Sequence, residues 1–357
     1  MPQRVLHFTS EPKNICILRL SAVGDVCHSV PVVRAIQDRW PAANITWVIG
    51  KLESTLVGDI PGVTFNILDK SRGWRAYRDL RREMQGKAFD LLVHMQVSLR
   101  SSAASRLISC PVRLGFDRAR ARDFQWLFTT DRIEAKKNQH VMDGLFGFAE
   151  ALGIHKPDLR WDIPIPDRAR EFASEYIQAG TRTLVISPCS TSRYRNWRNW
   201  NVEGYAAVAD HAAAKHGMRV ILTGGPTTME AEYGKEICRI AKHTPKNLIG
   251  RTGLKELLAL LDEAHALVAP DSGPVHMATT VGTPVIGLYA TSNPIRTGPY
   301  FSRQWVVNKY PEALEAELGK TVDQVSWGRR VRNPAAIDRI RVSDVTDKLD
   351  ELMASGL

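Results

Sequence analysis

Short apolar runs alternate with longer amphipathic stretches along most of the chain, and this alternation limits the fold more than any other feature. Residues 15–20, 45–49 and 90–95 have the length and the Ile, Val and Leu content of buried strands. Between the first two lies a helix with Val33, Ile36 and Trp40 on one face. Its start is expected near His28, with Pro31 in the first turn where a missing N–H costs nothing. The second half repeats the pattern. Strands are expected at 183–187, 219–223, 266–269 and 284–289, and helices at 168–179, 202–216, 228–242, 254–264 and 273–281. Gly217 falls where a left-handed cap would close the second of these helices. Such alternation predicts an α/β fold of doubly wound parallel sheets with helices on both faces.

The break between halves is Trp161-Asp-Ile-Pro-Ile-Pro-Asp167, a proline-punctuated linker. The 357 residues therefore divide into domains at 1–165 and 166–335, expected to face each other across a cleft. Regular alternation fades after about Tyr300, and an amphipathic helix at 342–353 closes the chain. The apolar runs 257–261 and 285–288 fall far short of the roughly 18 residues a membrane span needs. The start, Met-Pro-Gln-Arg-Val-Leu-His, has no apolar core of a secretory signal. Five scattered cysteines without a Cys-x-x-Cys pair disfavour a disulfide scaffold or a zinc site and suit a reducing cytoplasm.

The net charge of +10 is concentrated. Residues 70–140 hold sixteen Lys and Arg against seven Asp and Glu, in clusters Arg72/Arg75/Arg78/Arg81/Arg82 and Arg113/Arg118/Arg120/Arg122. The block is either a solvated basic face or a field for an anionic partner, and its arginines suit bidentate contact with carboxylate or phosphate. No familiar nucleic-acid-binding signature accompanies it, so nucleic acid is not the expected partner.

Four turns carry chemistry. In Ser21-Ala-Val-Gly-Asp25 a strand enters a glycine turn with an acid at the following helix, where Asp25 either caps that helix or faces a ligand. The dinucleotide fingerprint Gly-x-Gly-x-x-Gly is absent there, which argues against an NAD enzyme. In Ser187-Pro-Cys-Ser190-Thr191, followed by Arg195, hydroxyls and a cation at a strand's end suit a diphosphate. In Leu222-Thr-Gly-Gly-Pro226, Glu230 and Glu232 beyond the turn either take ribose hydroxyls or answer the helix dipole. In Asp271-Ser272-Gly273-Pro-Val-His276 a strand stops and a helix begins with free N–H groups, an anion site with an acid for sugar hydroxyls. His276, one turn in, is either ligand-facing or structural.

Taken in order, these motifs resemble the ADP-heptose:lipopolysaccharide heptosyltransferases over roughly residues 15–300. The resemblance is sharpest at Ser21-Ala-Val-Gly-Asp25 with the following His-Ser-Val-Pro, and at Asp271-Ser-Gly-Pro-Val-His276. Gly-Gly-Pro226 and Gly282-Thr-Pro-Val-Ile-Gly-Leu-Tyr289 add to it. It implies the two-domain GT-B architecture, with the acceptor on the N-terminal domain, the nucleotide sugar on the C-terminal one, and a last segment, 336–357, returning to the N-terminal domain. It implies Asp25 as catalytic base. Ser190, Thr191, Arg195, Asp271, Ser272, Gly273 and His276 would hold the donor's phosphates and heptose, Thr252 the adenine side, and Glu230 or Glu232 the ribose. Arg72, Arg75 and Arg122 would meet the acceptor. Arg195 stands where relatives often carry lysine, and Arg195-Asn-Trp departs from the commoner Lys-x-Trp-Pro, leaving the acceptor subfamily open.

The resemblance thus implies an inverting transfer of heptose from ADP-heptose to the Kdo-bearing inner core of lipid A, an anionic acceptor. No cluster with the ligand spacing of a zinc or calcium site appears, so turnover without metal or cofactor is expected, in a cytoplasmic protein peripherally associated with the inner leaflet. Alternatives are a later-acting core heptosyltransferase or another sugar-nucleotide transferase of this fold. From a different class, a polyanion- or membrane-surface-binding protein remains.

Overall fold

The computed structural model of the chain describes residues 5–155, 158–190 and 196–356. It forms two compact units, Met1–Pro164 and Ile165–Leu357. All five cysteines are free.

The first unit runs β1 (Asn14–Leu18), α1 (Val23–Arg39), β2 (Asn44–Gly50), α2 (Lys51–Val57), β3 (Val63–Leu68), α3 (Trp74–Met84), β4 (Leu91–His94), α4 (Leu99–Ser105), β5 (Val112–Gly115), β6 (Asp131–Arg132) and α5 (Val141–Ala151). Its six strands are parallel in the order β3-β2-β1-β4-β5-β6. Ile15 is in register with both Ile45 and Leu91, and Leu18 with Val48 and His94, so the apolar runs stack into one buried layer. Strand order reverses between β1 and β4. In open sheets of this kind ligands bind beyond the carboxyl ends of the strands at that reversal.

Helix α1 corrects one expectation. It starts at Val23, not near His28, so Pro31 lies inside the helix. Its missing N–H frees the carbonyl four residues earlier, that of Cys27. The Trp161 indole Nε1 donates to this buried carbonyl at 2.8 Å. Trp161 also accepts from Arg34 Nε at 3.0 Å, and Asp162 O accepts from Arg34 Nη2 at 2.6 Å, so the segment read as a linker is tied to α1.

The second unit runs α6 (Asp167–Tyr176), β7 (Thr183–Ile186), α7 (Val202–His216), β8 (Arg219–Leu222), α8 (Thr228–Ile240), β9 (Lys246–Asn247), α9 (Leu254–Glu263), β10 (Ala266–Pro270), α10 (Gly273–Thr280), β11 (Val285–Tyr289), α11 (Pro294–Thr297), β12 (Val307–Asn308), α12 (Tyr310–Leu318) and α13 (Val342–Ala354). Its parallel strands, in the order β12-β11-β10-β7-β8-β9, repeat the first topology, with the reversal between β7 and β10. Gly217 caps α7 at φ +61°, as its position predicted.

The last helix, within segment 336–357, is built into the core of the second unit. Val345, Leu349 and Leu352 of α13 belong to the buried cluster that also holds Leu184, Val208, Ala212 and Ile286, so its apolar face serves the second unit. A polar clasp fastens it to α7. His211 Nε2 and His216 Nε2 approach Asp350 Oδ1 at 2.7 and 2.6 Å, and Lys215 Nζ reaches Oδ2 at 2.7 Å. Burial works to raise the Asp350 pKa, but the bonds from Lys215, His211 and His216 win and hold it well below the usual carboxylate range. Among the described residues, no helix is long and apolar enough to cross a membrane.

Candidate active site

In the first unit, β1 delivers Arg19, Leu20 and Ser21 to the strand-order reversal, and α1 places Asp25 in its first turn. Of the two roles weighed for Asp25, the structure displays the helix cap. Its Oδ2 accepts from Ala22 N at 3.2 Å, capping α1, and lies 2.6 Å from Arg19 Nη2. The side chain is nevertheless 43% exposed, so solvent and solutes reach it. Arg19 itself is buried and held from two further sides. Its Nη1 donates to Met95 O beyond β4, and its carbonyl accepts from Trp47 Nε1 of β2 at 3.1 Å. A buried guanidinium clamped in this way fixes one carboxylate oxygen in place.

The turn is pinned from the neighbouring strands as well. Gln96 Oε1 accepts from Leu20 N and Ser21 N at 2.5 and 3.3 Å, and Lys70 Nζ donates to Ser21 Oγ at 2.7 Å. Sequence patterns did not single out Arg19, Lys70 or Gln96. One signal was present: an arginine interrupts the otherwise apolar Ile15-to-Leu20 run, where a buried strand has no use for an unpaired charge.

The basic block divides by use. Arg113 spends Nη1 and Nη2 on Ser105 O and Ile108 O, and burial lowers its pKa. Arg120 is bound to Asp117, Gln139 and Glu134 O, and Arg118 stacks on Trp126. Arg72, Arg75 and Arg122 are exposed at the same carboxyl edge of the sheet as Asp25. Arg72 is paired with Asp79 at 2.7 Å.

In the second unit, β7 and β10 bring two loops to the other reversal. Ser190 is buried, with its N donating to Asn199 Oδ1 at 2.8 Å and its Oγ to Asn196 Oδ1 at 2.9 Å. Thr191 and Arg195 lie outside the described residues. A cation the sequence reading passed over, Arg198, donates to Asp271 O at 2.7 Å and approaches its Oδ2 at 3.4 Å. Ser292 Oγ, after β11, donates to the same Oδ2 at 2.8 Å. Asp271 is thus buried and oriented from two loops. Ser272 is the N-cap residue of α10, yet its side chain makes no capping bond, and its buried Oγ has no hydrogen-bond partner among the described residues. An unpaired hydroxyl beside a helix start is chemically able to accept an anionic or other polar group. Gly273 opens α10, and His276 is buried one turn in.

The two acids after the glycine pair separate. Glu230 is buried and turned back on its own loop, accepting from Gly225 N at 2.5 Å and Thr227 Oγ1 at 3.1 Å. Glu232 is exposed on α8. Thr252 is half-buried just before α9. One further group has metal-ligand chemistry among the described residues: His211, His216 and Asp350, with ligand atoms within 4.8 Å of one another. These are the atoms of the hydrogen-bonded clasp that fastens α13 to α7.

Residues 77–325 match the model of glycosyltransferase family 9 (heptosyltransferase). The chain is 40% identical over 345 residues to the lipopolysaccharide core heptosyltransferase OpsX of Haemophilus influenzae, covering 97% of this chain and 98% of that protein. It is 24% identical to lipopolysaccharide heptosyltransferase 1 of Escherichia coli K12, over 84% of this chain and 95% of that one. Its fold matches a family 9 glycosyl transferase from Veillonella parvula with a TM-score of 0.78 at 21% identity, covering 96% and 97% of the two chains. It matches the E. coli heptosyltransferase WaaC with ADP at 0.74 and 20% identity, covering 95% and 99%. The duplicated parallel sheet, the motifs at both strand-order reversals and these similarities together establish that the chain belongs to glycosyltransferase family 9, the heptosyltransferases.

Proposed function

We propose that this heptosyltransferase moves heptose from ADP-heptose to the Kdo-containing inner core of lipopolysaccharide, in a single inverting displacement with Asp25 as general base. The carrying observation is the Asp25 carboxylate, held on one oxygen by Arg19 at 2.6 Å and still 43% exposed. In this reading the acceptor hydroxyl attacks the anomeric carbon, its proton passes to Asp25, and the bond to ADP breaks. The leaving diphosphate is stabilised by the N–H groups of α10, Ser272 Oγ and the Arg195 side chain. Asp271, fixed by Arg198 and Ser292, takes sugar hydroxyls together with His276. Ser190 and Thr191 complete the phosphate side, Gly273 lets the pyrophosphate approach, and Thr252 meets the adenine. With Glu230 committed to its own loop, Glu232 is the better candidate for the ribose.

Arg72, Arg75 and Arg122, exposed on the carboxyl edge of the first sheet, meet the carboxylates and phosphates of the acceptor. The similarity to the Haemophilus influenzae core heptosyltransferase supports a lipopolysaccharide acceptor. On this reading the protein works without a metal ion or other cofactor, in the cytoplasm at the inner leaflet. The alternative, a later-acting core heptosyltransferase, draws on the 22% identity to an E. coli heptosyltransferase 3. Incubation with ADP-heptose and Kdo-lipid A, read by mass spectrometry, tests the reading: one added heptose supports it. Transfer only to an acceptor that already carries heptose favours the alternative.

A further inference from the structure

Large exposed apolar side chains are unevenly placed. Among the described residues ten are strongly exposed, and six of them (Leu52, Ile67, Trp74, Leu99, Phe124 and Leu127) belong to the carboxyl edge of the first unit's sheet or the loops leaving it. Besides Leu52, at 59%, four are prominent: Trp74 is 67% exposed, Phe124 65%, and Leu99 and Leu127 59% each. They sit on connected loops. Tyr77 of α3 donates to Arg100 O at the start of α4, and Leu99 N donates to Asp123 Oδ2 in the loop carrying Phe124 and the short 3-10 turn Gln125–Leu127. The three loops therefore form one rim.

Cations are interleaved with these side chains. Arg78 stacks on Trp74 at 4.9 Å, Arg118 on Trp126 at 4.8 Å, and Arg75, Arg100 and Arg122 are exposed beside them. An exposed apolar cluster ringed by positive charge is costly in water and matches a surface with anionic headgroups above an apolar interior. Charge complementarity commits the occupant: a free sugar phosphate would use the arginines but leave Leu99, Phe124 and Leu127 wet.

We infer that this rim docks the protein on an anionic lipid bilayer, with Leu99, Phe124 and Leu127 entering the headgroup–acyl boundary and the arginines holding the phosphates. The inference deepens the proposed function, since it rests on an acceptor that resides in a membrane; Arg75 and Arg122 are shared with the acceptor reading, whereas Leu99, Phe124 and Leu127 belong to the membrane contact alone.

The test is sedimentation with vesicles of phosphatidylglycerol and phosphatidylcholine, or of phosphatidylcholine alone, with neither nucleotide sugar nor acceptor present. Wild-type protein is expected to bind the anionic vesicles and to be weakened by salt. The triple variant L99S/F124S/L127S, which removes no buried side chain, should lose at least about tenfold in partitioning while its circular dichroism is unchanged. It should also lose transfer to vesicle-embedded Kdo-lipid A but keep transfer to the same acceptor deacylated and free in water. Equal vesicle binding by variant and wild type overturns the inference. So does a lipid-independent, concentration-dependent dimer that the variant abolishes, because the rim would then be a protein interface. Vesicle binding lost in the variant with no heptose transfer by either protein leaves the docking surface standing and refutes the transfer reading instead.

Discussion

The bond from Trp161 to the Cys27 carbonyl predicts an unusual dependence between two distant positions. In Trp161→Phe the indole N–H is gone and Pro31 offers no replacement, so a buried carbonyl in the middle of α1 is left unpaired. Such an orphan costs about 1–3 kcal/mol, and the smaller ring adds about 1 kcal/mol of lost packing. In a Pro31→Ala background an N–H at position 31 serves the same carbonyl from within the helix. There Trp161→Phe should cost only the packing share, leaving a coupling energy of about 1 kcal/mol or more. Urea unfolding of the four proteins, followed by far-ultraviolet circular dichroism, measures it. An equal cost of Trp161→Phe in both backgrounds would refute the idea that the indole stands in for the missing helix bond.

Two predictions follow from the second unit. Ser272→Ala removes a buried hydroxyl that has no partner among the described residues, so stability should hold or rise slightly, while calorimetry should show ADP binding about fivefold weaker or more; unchanged ADP affinity would remove Ser272 from the donor site. Asp350→Asn should destabilise the protein by about 1–2 kcal/mol at neutral pH, a modest figure because the carboxylate is about a quarter exposed. The Asp350 pKa is depressed in the folded state, so its contribution is present above the unfolded carboxyl value of about 3.9 and lost as pH falls through its lower folded value. Stability curves of the two proteins should therefore converge in acid; a gap that persists there would show that the clasp does not act through charge.

Strong local patterns translated well. The runs read as strands at 15–20, 45–49 and 183–187 appear within two residues of those limits, because runs this apolar are stable only when covered on both faces. What escaped was set by tertiary context. β6, β9 and β12 have two residues each, too short for any period, and exist only because the neighbouring strand supplies their partners. Pro31 looked like a helix start because proline lacks an N–H, and only Trp161, more than a hundred residues away, makes it tolerable inside α1. The same holds at the site. Asp25, Asp271 and Ser272 lie where a strand passes into a helix, a junction legible in residue type and order, whereas Arg19, Gln96, Arg198 and Ser292 act by reaching across strands. Their pairing is a property of sheet order, and no spacing along the chain encodes it. Arg113 and Arg120 illustrate the reverse: counted as part of a cationic face, they are spent on backbone carbonyls and on Asp117 inside their own unit.

The most direct test of the account is the single-turnover rate of Asp25→Asn with ADP-heptose and Kdo-lipid A. An asparagine oxygen still accepts from Ala22 N, so the cap on α1 survives while the base is lost. The account predicts a rate reduced about 10²–10⁴-fold with ADP affinity and folding nearly unchanged. A variant retaining more than about a tenth of the wild-type rate would contradict it, leaving this carboxylate as a helix cap and no more.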